Sequence, residues 1–386
     1  MKRNKTKGAT WHLSELVERV ERPNSEGIYS YSAVRGVSNT KEIQKTKANI
    51  EGRNLLPFHI IKKGEFVFNR RTTRNGDRLG LGFNDTDEIF LFTEDYVAFY
   101  VKDEKVLLPN YLYLVFLRPE FDRYVRWDSW GSATEFFNWE NMCRIEIPVP
   151  SLDVQQEAVE TWRGLRKMKE ENEGLVEPLL TLCRSYLQEC KQKYPMKEIG
   201  PYIRQRNEIN RQGLYGEDDA RGVNTNKEIQ YCKRMGEDLS GYKIVRQNDI
   251  VYNANIKLTK ETTKFAIGIH RYTNNVIVTN FYTVFSVCRE DLLPEYLLLF
   301  LVQDEFARYV KFMSCSSIRD RFDFADMCRV KIPLPPIEVQ QAIVDVYRCA
   351  QESKRIAAEA DRLSREICPA LVRWASEGGR NDNATP

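Results

Sequence analysis

Histidine is almost missing from this chain: His12, His59 and His270 are the only three, and none stands at a metal-ligand spacing from another. That scarcity argues against a zinc-dependent or histidine-dependent enzyme. The sequence also lacks a G-x-x-x-x-G-K-(S/T) phosphate loop, an N-P-P-(Y/F) or D-P-P-Y segment and a nuclease-like carboxylate cluster. No run of about 18 apolar residues occurs, so no membrane-spanning helix is expected. The N-terminal MKRNKTKGATWH is basic but has no apolar h-region, which speaks against a secretory signal. Nine cysteines fall without CxxC pairs or disulfide-like spacing, as expected of a reducing, cytoplasmic setting.

What is present is repetition. Arg35-Gly36-Val37-Ser38-Asn39-Thr40-Lys41-Glu42-Ile43-Gln44 returns as Arg221-Gly222-Val223-Asn224-Thr225-Asn226-Lys227-Glu228-Ile229-Gln230, an offset of 186. MCRIEIPVPSLDVQQEAV, from Met142 to Val159, returns as MCRVKIPLPPIEVQQAIV, from Met327 to Val344, an offset of 185. Between these blocks, Leu107-Leu108-Pro109 is echoed by Leu292-Leu293-Pro294, and Phe121-Asp122-Arg123-Tyr124-Val125 by Phe306-Ala307-Arg308-Tyr309-Val310. Solenoid units of roughly 20–50 residues cannot bury a core alone, whereas a unit this long can. Two copies of one fold in tandem are therefore expected, related by an approximate two-fold axis.

Each copy divides into a strand-rich body and a helical tail. Short β-favouring runs such as Phe66-Val67-Phe68 and Ile250-Val251-Tyr252 follow turn-like residues. Pro109 and Pro294 each open an apolar-periodic stretch read as one helix, ending near Val125 or Val310. The tails follow Pro150 and Pro336. In the first, Ala158, Leu165, Leu179 and Tyr186 make one apolar row and Met168, Leu175 and Leu182 its partner, with Asn172 interrupting. In the second, the rows are Ile343, Ala350, Ala357 and Leu371, and Val346, Ala360, Ile367 and Trp374. Spacings of three and four sustained over several turns predict helices that pair through an apolar seam. Pro178 and Pro369 should kink or break them. The expected fold class is α+β: two mixed α/β bodies, 1–150 and 196–335, alternating with antiparallel helices over 151–195 and 336–377. A disordered tail is expected over 378–386.

A formal net charge of +3 says little by itself, but its distribution says more. Lys62, Lys63, Arg70, Arg71, Arg74 and Arg78 crowd one short region, while acidic residues gather in the tails, as in Glu170-Glu171-Asn172-Glu173. This is a mild electrostatic footprint of the kind that binds phosphates.

The tails open with Ile147-Pro148-Val149-Pro150-Ser151-Leu152-Asp153-Val154-Gln155-Gln156 and Ile332-Pro333-Leu334-Pro335-Pro336-Ile337-Glu338-Val339-Gln340-Gln341. With this phrase twice at domain spacing, each time leading into a long helix, the chain closely resembles the specificity subunit of type I restriction–modification systems. The resemblance runs from about Trp11 to Trp374. It implies that each body is a target recognition domain reading one half of a bipartite site in double-stranded DNA. The helices would set the gap between half-sites and dock two methyltransferase subunits, with restriction/translocase subunits joining the complex. S-adenosylmethionine, ATP and Mg would then be bound by those partners, and this chain would be non-catalytic. A fused restriction–methylation enzyme and a scaffold with no DNA role are the competing readings. The first predicts methyl transfer or cleavage by the chain alone, the second no salt-dependent DNA binding.

Candidate contacts follow from residue type. Lys62 and the loop carrying Arg70, Arg71, Arg74 and Arg78 suit guanine edges or phosphates, or form a solvated surface loop. Asn253, Asn255, Lys257 and Lys260 occupy the corresponding place in the second body, where asparagine offers a bidentate adenine contact. Small polar segments precede each closing strand: Ser132 and Thr134 in one, Ser316 and Ser317 with Arg319 and Arg321 in the other. They form either a phosphate cradle or a tight turn without ligand. Arg35 and Arg221, identical in both copies, suit phosphate anchoring or an internal salt bridge. Gln155, Gln156, Gln340 and Gln341 serve either helix capping and packing or partner docking.

Overall fold

The computed structural model describes residues 10–46, 48–71, 78–129, 136–224, 227–232, 235–255, 257–258, 263–314 and 321–379. The chain separates into two compact units, Met1–Asn172 with Ile356–Pro386, and Glu173–Arg355. Each unit takes in half of each tail, so the body-and-tail division of the sequence is not the division of the cores.

Unit 1 runs β1 (Thr10–His12), α1 (Leu13–Leu16), β2 (Val17–Val20), β3 (Arg35–Val37), β4 (Ile43–Lys45), β5 (His59–Ile61), β6 (Glu65–Asn69), β7 (Leu81–Phe83), β8 (Phe90–Phe92), β9 (Tyr96–Val101), α2 (Pro109–Leu117), α3 (Pro119–Trp127), α4 (Trp139–Cys143) and β10 (Glu146–Pro148), then enters α5 (Leu152–Lys193). A four-stranded sheet has the order β2-β9-β6-β7, with β3 paired to β4, β5 to β8 and β1 to β10. Both faces of that sheet are covered. Phe66 and Phe68 of β6 join the core that contains α2, whereas Val67 between them joins a second cluster with Ile61 and Phe92. Alternate side chains of a strand point to opposite faces, so this phenylalanine-rich strand feeds two cores at once.

Unit 2 continues with β11 (Met196–Glu198), β12 (Ile203–Arg206), β13 (Ala220–Val223), β14 (Ile229–Tyr231), β15 (Lys243–Val245), β16 (Ile250–Asn253), β17 (Lys257–Leu258), β18 (Thr263–Lys264), β19 (Ile267–Ile269), β20 (Val276–Val278), β21 (Tyr282–Val287), α6 (Pro294–Leu301), α7 (Asp304–Met313), α8 (Phe324–Cys328), β22 (Lys331–Pro333) and α9 (Ile337–Glu366), and α10 (Cys368–Ser376) follows in unit 1. Its sheet order β12-β21-β16-β19 repeats that of unit 1 strand for strand. Ile250 and Tyr252 again face the helix-bearing core and Val251 the opposite cluster. The two halves therefore share one fold.

The best-conserved block between the copies is framework. In unit 1 it forms the β3–β4 hairpin, whose turn places Lys41 at φ 66°. The Lys41 ammonium is buried, donates to the Phe116 carbonyl at the end of α2 (2.7 Å) and pairs with Asp122 of α3 (2.7 Å). Lys227, at φ 68°, donates likewise to the Val302 carbonyl after α6. A cation at a helix C-terminus satisfies carbonyls that the helix leaves open. Burial holds both amines below their usual pKa range.

Two expectations about helices need correction. The stretch after Pro109 is two helices, because Pro119 starts a new one and Arg118 is extended. Pro178 lies inside α5 and does not end it, whereas Pro369 does open a new helix, α10. The seam of the first tail was also partly misassigned, for Ala158 is buried and Leu165 and Leu179 are half-buried as expected, but the rest of its rows is not. Met168, Leu175, Leu182 and Tyr186 are exposed, and the buried positions are Gln155, Ala158, Val159, Trp162, Cys183, Leu187 and Cys190. The seam of the second tail follows the expectation more closely, with Ile343, Ala350, Ala357, Ala360 and Leu371 buried and Val346, Ile367 and Trp374 half-buried.

The helices meet within each unit, and in unit 1 the contacts show them antiparallel. In unit 1 the Trp162 indole donates to the Ser364 carbonyl (3.1 Å) and Lys169 pairs with Asp361 (2.8 Å), so ascending α5 meets descending α9. In unit 2 the Cys183 thiol lies 3.9 Å from the Ile343 carbonyl oxygen.

Candidate nucleic-acid interface

Strand β6 ends in an Asx turn, in which the Asn69 side-chain oxygen accepts from the Arg71 amide (2.9 Å). The chain leaves there and returns at Leu79, whose amide donates to Asp122 of α3 (3.1 Å). The small-polar segment before α4 re-enters beside the same place: Arg71 bridges Phe136, and the Phe137 amide donates to the Arg70 carbonyl (2.9 Å). Two segments far apart in sequence thus share one anchoring point. Asp128, directly after α3, accepts from Asn141 of α4 (3.0 Å) and pairs with Arg144 (3.2 Å), fixing α3 to α4.

Unit 2 repeats this construction. The Asn253 side-chain oxygen accepts from the Asn255 amide (3.0 Å), Asn255 bridges Arg321, and the Phe322 amide donates to the Ala254 carbonyl (2.9 Å). An aromatic cluster of Tyr252, Phe265, Phe306 and Phe322 stands behind it, where unit 1 places Phe68 against Phe137.

Of the residues singled out in the first body, Arg70, Arg71 and Arg78 flank this edge. Arg71 is half-spent on Asp95 (3.2 Å), and Arg78 is exposed. Lys62 is not brought to them: it lies at the other end of β6, a strand length of roughly 17 Å away. Arg74, Ser132, Thr134, Lys260, Ser316, Ser317 and Arg319 lie outside the described residues, and Lys257 is described only as a backbone position of β17.

Asn253 has a structural role the sequence did not reveal. It is the counterpart of Asn69, and its carboxamide oxygen closes the turn, which ties the side chain to the framework and leaves one lone pair and the amide hydrogens for any further contact. Asn255 and Arg321 remain exposed, the latter with its Nε on Asp323 (2.5 Å). Arg35 and Arg221 share an internal task. Each guanidinium donates to the carbonyls three residues and one residue before it (2.6 and 3.2 Å; 2.7 and 3.1 Å) and lies over a ring, Phe90 or Tyr231.

Gln155 and Gln340 are corrected from docking to packing. Both are fully buried. Gln155 donates to the Val106 and Pro150 carbonyls (both 2.9 Å) and accepts from the Leu108 amide (2.8 Å). Gln340 does the same with Asp291, Pro335 and Leu293. Gln156 and Gln341 reach only a glutamate and an aspartate one turn on.

Residues 188–347 match the family model described as "Type I restriction modification DNA specificity domain". Residues 188–347 are thus similar to a type I DNA specificity domain. That region spans the end of α5, the whole second body and the start of α9, and the first half repeats its sheet order. Over 97% of this chain and 98% of the other, the fold is similar to the crystal structure of the type I restriction–modification S subunit from M. genitalium, with a TM-score of 0.59 at 11% identity. The HsdS subunit from Thermoanaerobacter tengcongensis aligns over 96% of this chain and 97% of its own, with a TM-score of 0.41 at 16% identity. No curated protein sequence matches the chain.

Beside the β13–β14 hairpin lies a cavity of about 1100 Å³, walled by Leu187, Ile269, Leu298 and Tyr347. At the matching offset in unit 1 stand the bulkier Phe83, Tyr113 and Trp162, with Tyr113 in ring contact with both others. Sequence reasoning merged the supporting helix α3, and its copy α7, with the helix before it. The echo between Phe121–Val125 and Phe306–Val310 was the available signal.

Proposed function

We propose that this chain is the DNA-recognition subunit of a type I restriction–modification complex, each unit reading one half of a two-part target in double-stranded DNA. One observation carries the reading: letters identical between the copies serve the framework, and letters that differ flank the shared anchoring point. Lys41 and Lys227, Gln155 and Gln340, and Arg35 and Arg221 all bond inside their own unit. Asn69-Arg70-Arg71 and Asn253-Ala254-Asn255, by contrast, open segments of unlike sequence from the same Asx turn. Such a design holds two different readers on one scaffold, with base contacts left to variable side chains.

In this reading the chain does no chemistry. Methylation with S-adenosylmethionine belongs to two methyltransferase subunits docked on the helices, and ATP and Mg to the restriction/translocase subunits. The helices set the gap between half-sites.

The test exchanges residues 1–150 for the equivalent body of a homologue and maps adenine methylation in the host genome. The expected result is a motif altered in one half only. Alteration of both halves, or no methylation that depends on this gene, refutes the reading.

A further inference from the structure

Helices α3 and α7 end on the same surface chemistry. The sequence Arg123-Tyr124-Val125-Arg126-Trp127 recurs as Arg308-Tyr309-Val310-Lys311-Phe312, an offset of 185. In both copies the valine is buried and carries the helix, while the two basic residues and the terminal ring face solvent. Trp127 is 76% exposed and Phe312 79%. Tyr231, Tyr272 and Phe281 are nearly as exposed, so exposure alone is ordinary here, but an exposed ring kept at one position in two otherwise diverging halves calls for a use.

Exposure and repetition alone do not decide what that use is. Ile28 and Leu214, also 186 apart, are exposed in both copies as well. Trp127 and Phe312 differ from them in three respects. They are flat, they sit among cationic side chains, and they cap the helix that holds the candidate interface. Asp122 of α3 receives the chain returning at Leu79, and Asp128, directly after Trp127, is bonded to Asn141 and Arg144 of α4. In unit 2, Phe306 of α7 packs on Phe265 and Phe322, which bracket the same two strand ends. A ring flanked by cations on a rigid helix end matches a base face beside phosphates.

We propose that Trp127 and Phe312 are a matched pair of DNA-contacting rings, one per unit, each placed against the face of a base or wedged into a base step of its own half-site. The proposal rests on the DNA-recognition reading above. Neither ring reads sequence by hydrogen bonds. Each would register its unit on the duplex and favour steps that unstack easily, such as pyrimidine–purine steps.

The experiment uses the full chain and a fluorescent 40-bp duplex selected by it from a pool with a randomised centre. Binding is titrated at several salt concentrations for the wild type, Trp127→Ala, Phe312→Ala and Trp127→Phe. Permanganate reactivity of thymines reports unstacking. Each alanine variant should bind about tenfold more weakly with the salt slope unchanged, because a lost ring releases no fewer counterions. Trp127→Phe should stay close to wild type, and thymines made reactive by the wild type should be protected again with the alanine variants. Thermal unfolding of all four should coincide, since these side chains are solvent-exposed. A wild-type chain without salt-dependent binding refutes the DNA reading itself. Wild-type binding matched by both alanine variants, or a loss that comes with a reduced salt slope, refutes this proposal alone.

Discussion

Replacing Gln155 with methionine tests how the tail is joined to the body. Methionine has nearly the same length and fits the same slot, so volume is kept and polarity is lost. Three bonds disappear, those to the Val106 and Pro150 carbonyls and from the Leu108 amide. The residue is 0% exposed, so water does not replace them without opening the junction. Leaving a buried polar group unpaired costs about 1–3 kcal/mol. Two carbonyls keep a second lone pair for other donors, which lowers the sum, and a total of about 3 kcal/mol is expected. For a unit near 200 residues, that is a fall of roughly 6–12 °C in the midpoint of its transition. Scanning calorimetry of the full chain is the assay, because two units are read as two transitions where they separate. Gln340→Met should lower the unit 2 transition similarly, and Gln156→Met, on an exposed neighbour, should change nothing measurable. Equal midpoints for Gln155→Met and Gln156→Met would refute the view that the first glutamine of each pair is a staple.

Other expectations follow from the same structure. Asp122→Asn leaves the buried Lys41 ammonium without its counter-charge and should destabilise unit 1 by about 3–5 kcal/mol, measured by urea unfolding. Trp162→Ala removes a buried indole and its bond to Ser364, and should cost about 3–5 kcal/mol in the same assay. Burial opposes ionisation of Asp361, but the bond and charge of Lys169, with Arg365, outweigh it and hold the carboxyl below its ordinary value. Its stabilising contribution is therefore complete above the ordinary value of 3.8 and is lost as pH falls through the lowered one. The loss should be about 1 kcal/mol for this partly covered pair at the seam, and Asp361→Asn should abolish that part of the acid profile.

Much of this molecule was readable in the letters. Duplication, the strand-rich bodies and the helical tails all followed from repeats spaced 185 or 186 apart, and Pro109 and Pro294 marked helix starts correctly. Periodicity failed on the first tail because apolar letters stand on its solvent face at Met168, Leu175 and Leu182. Its seam is built instead from Trp162, Cys183 and Cys190, with Lys169 paired to Asp361. A polar residue in a seam is invisible to a hydrophobic pattern until its partner is known. Gln155 and Gln340 misled for a similar reason. Donor and acceptor groups advertise binding, yet in a folded chain most of them are consumed by the backbone.

By itself, the sequence determined that one fold occurs twice and which residues the two copies hold in common, since local propensity and repetition are properties of the chain. Tertiary structure decided what each shared residue is for. Whether a lysine meets a phosphate or a helix end, and whether a ring is core or surface, depends on groups brought together from distant positions. Lys41 reaching Phe116 and Arg71 bridging Phe136 are contacts of that kind. No local pattern encodes them, because the free energy that selects them comes from burial and hydrogen bonding shared among segments far apart in the chain.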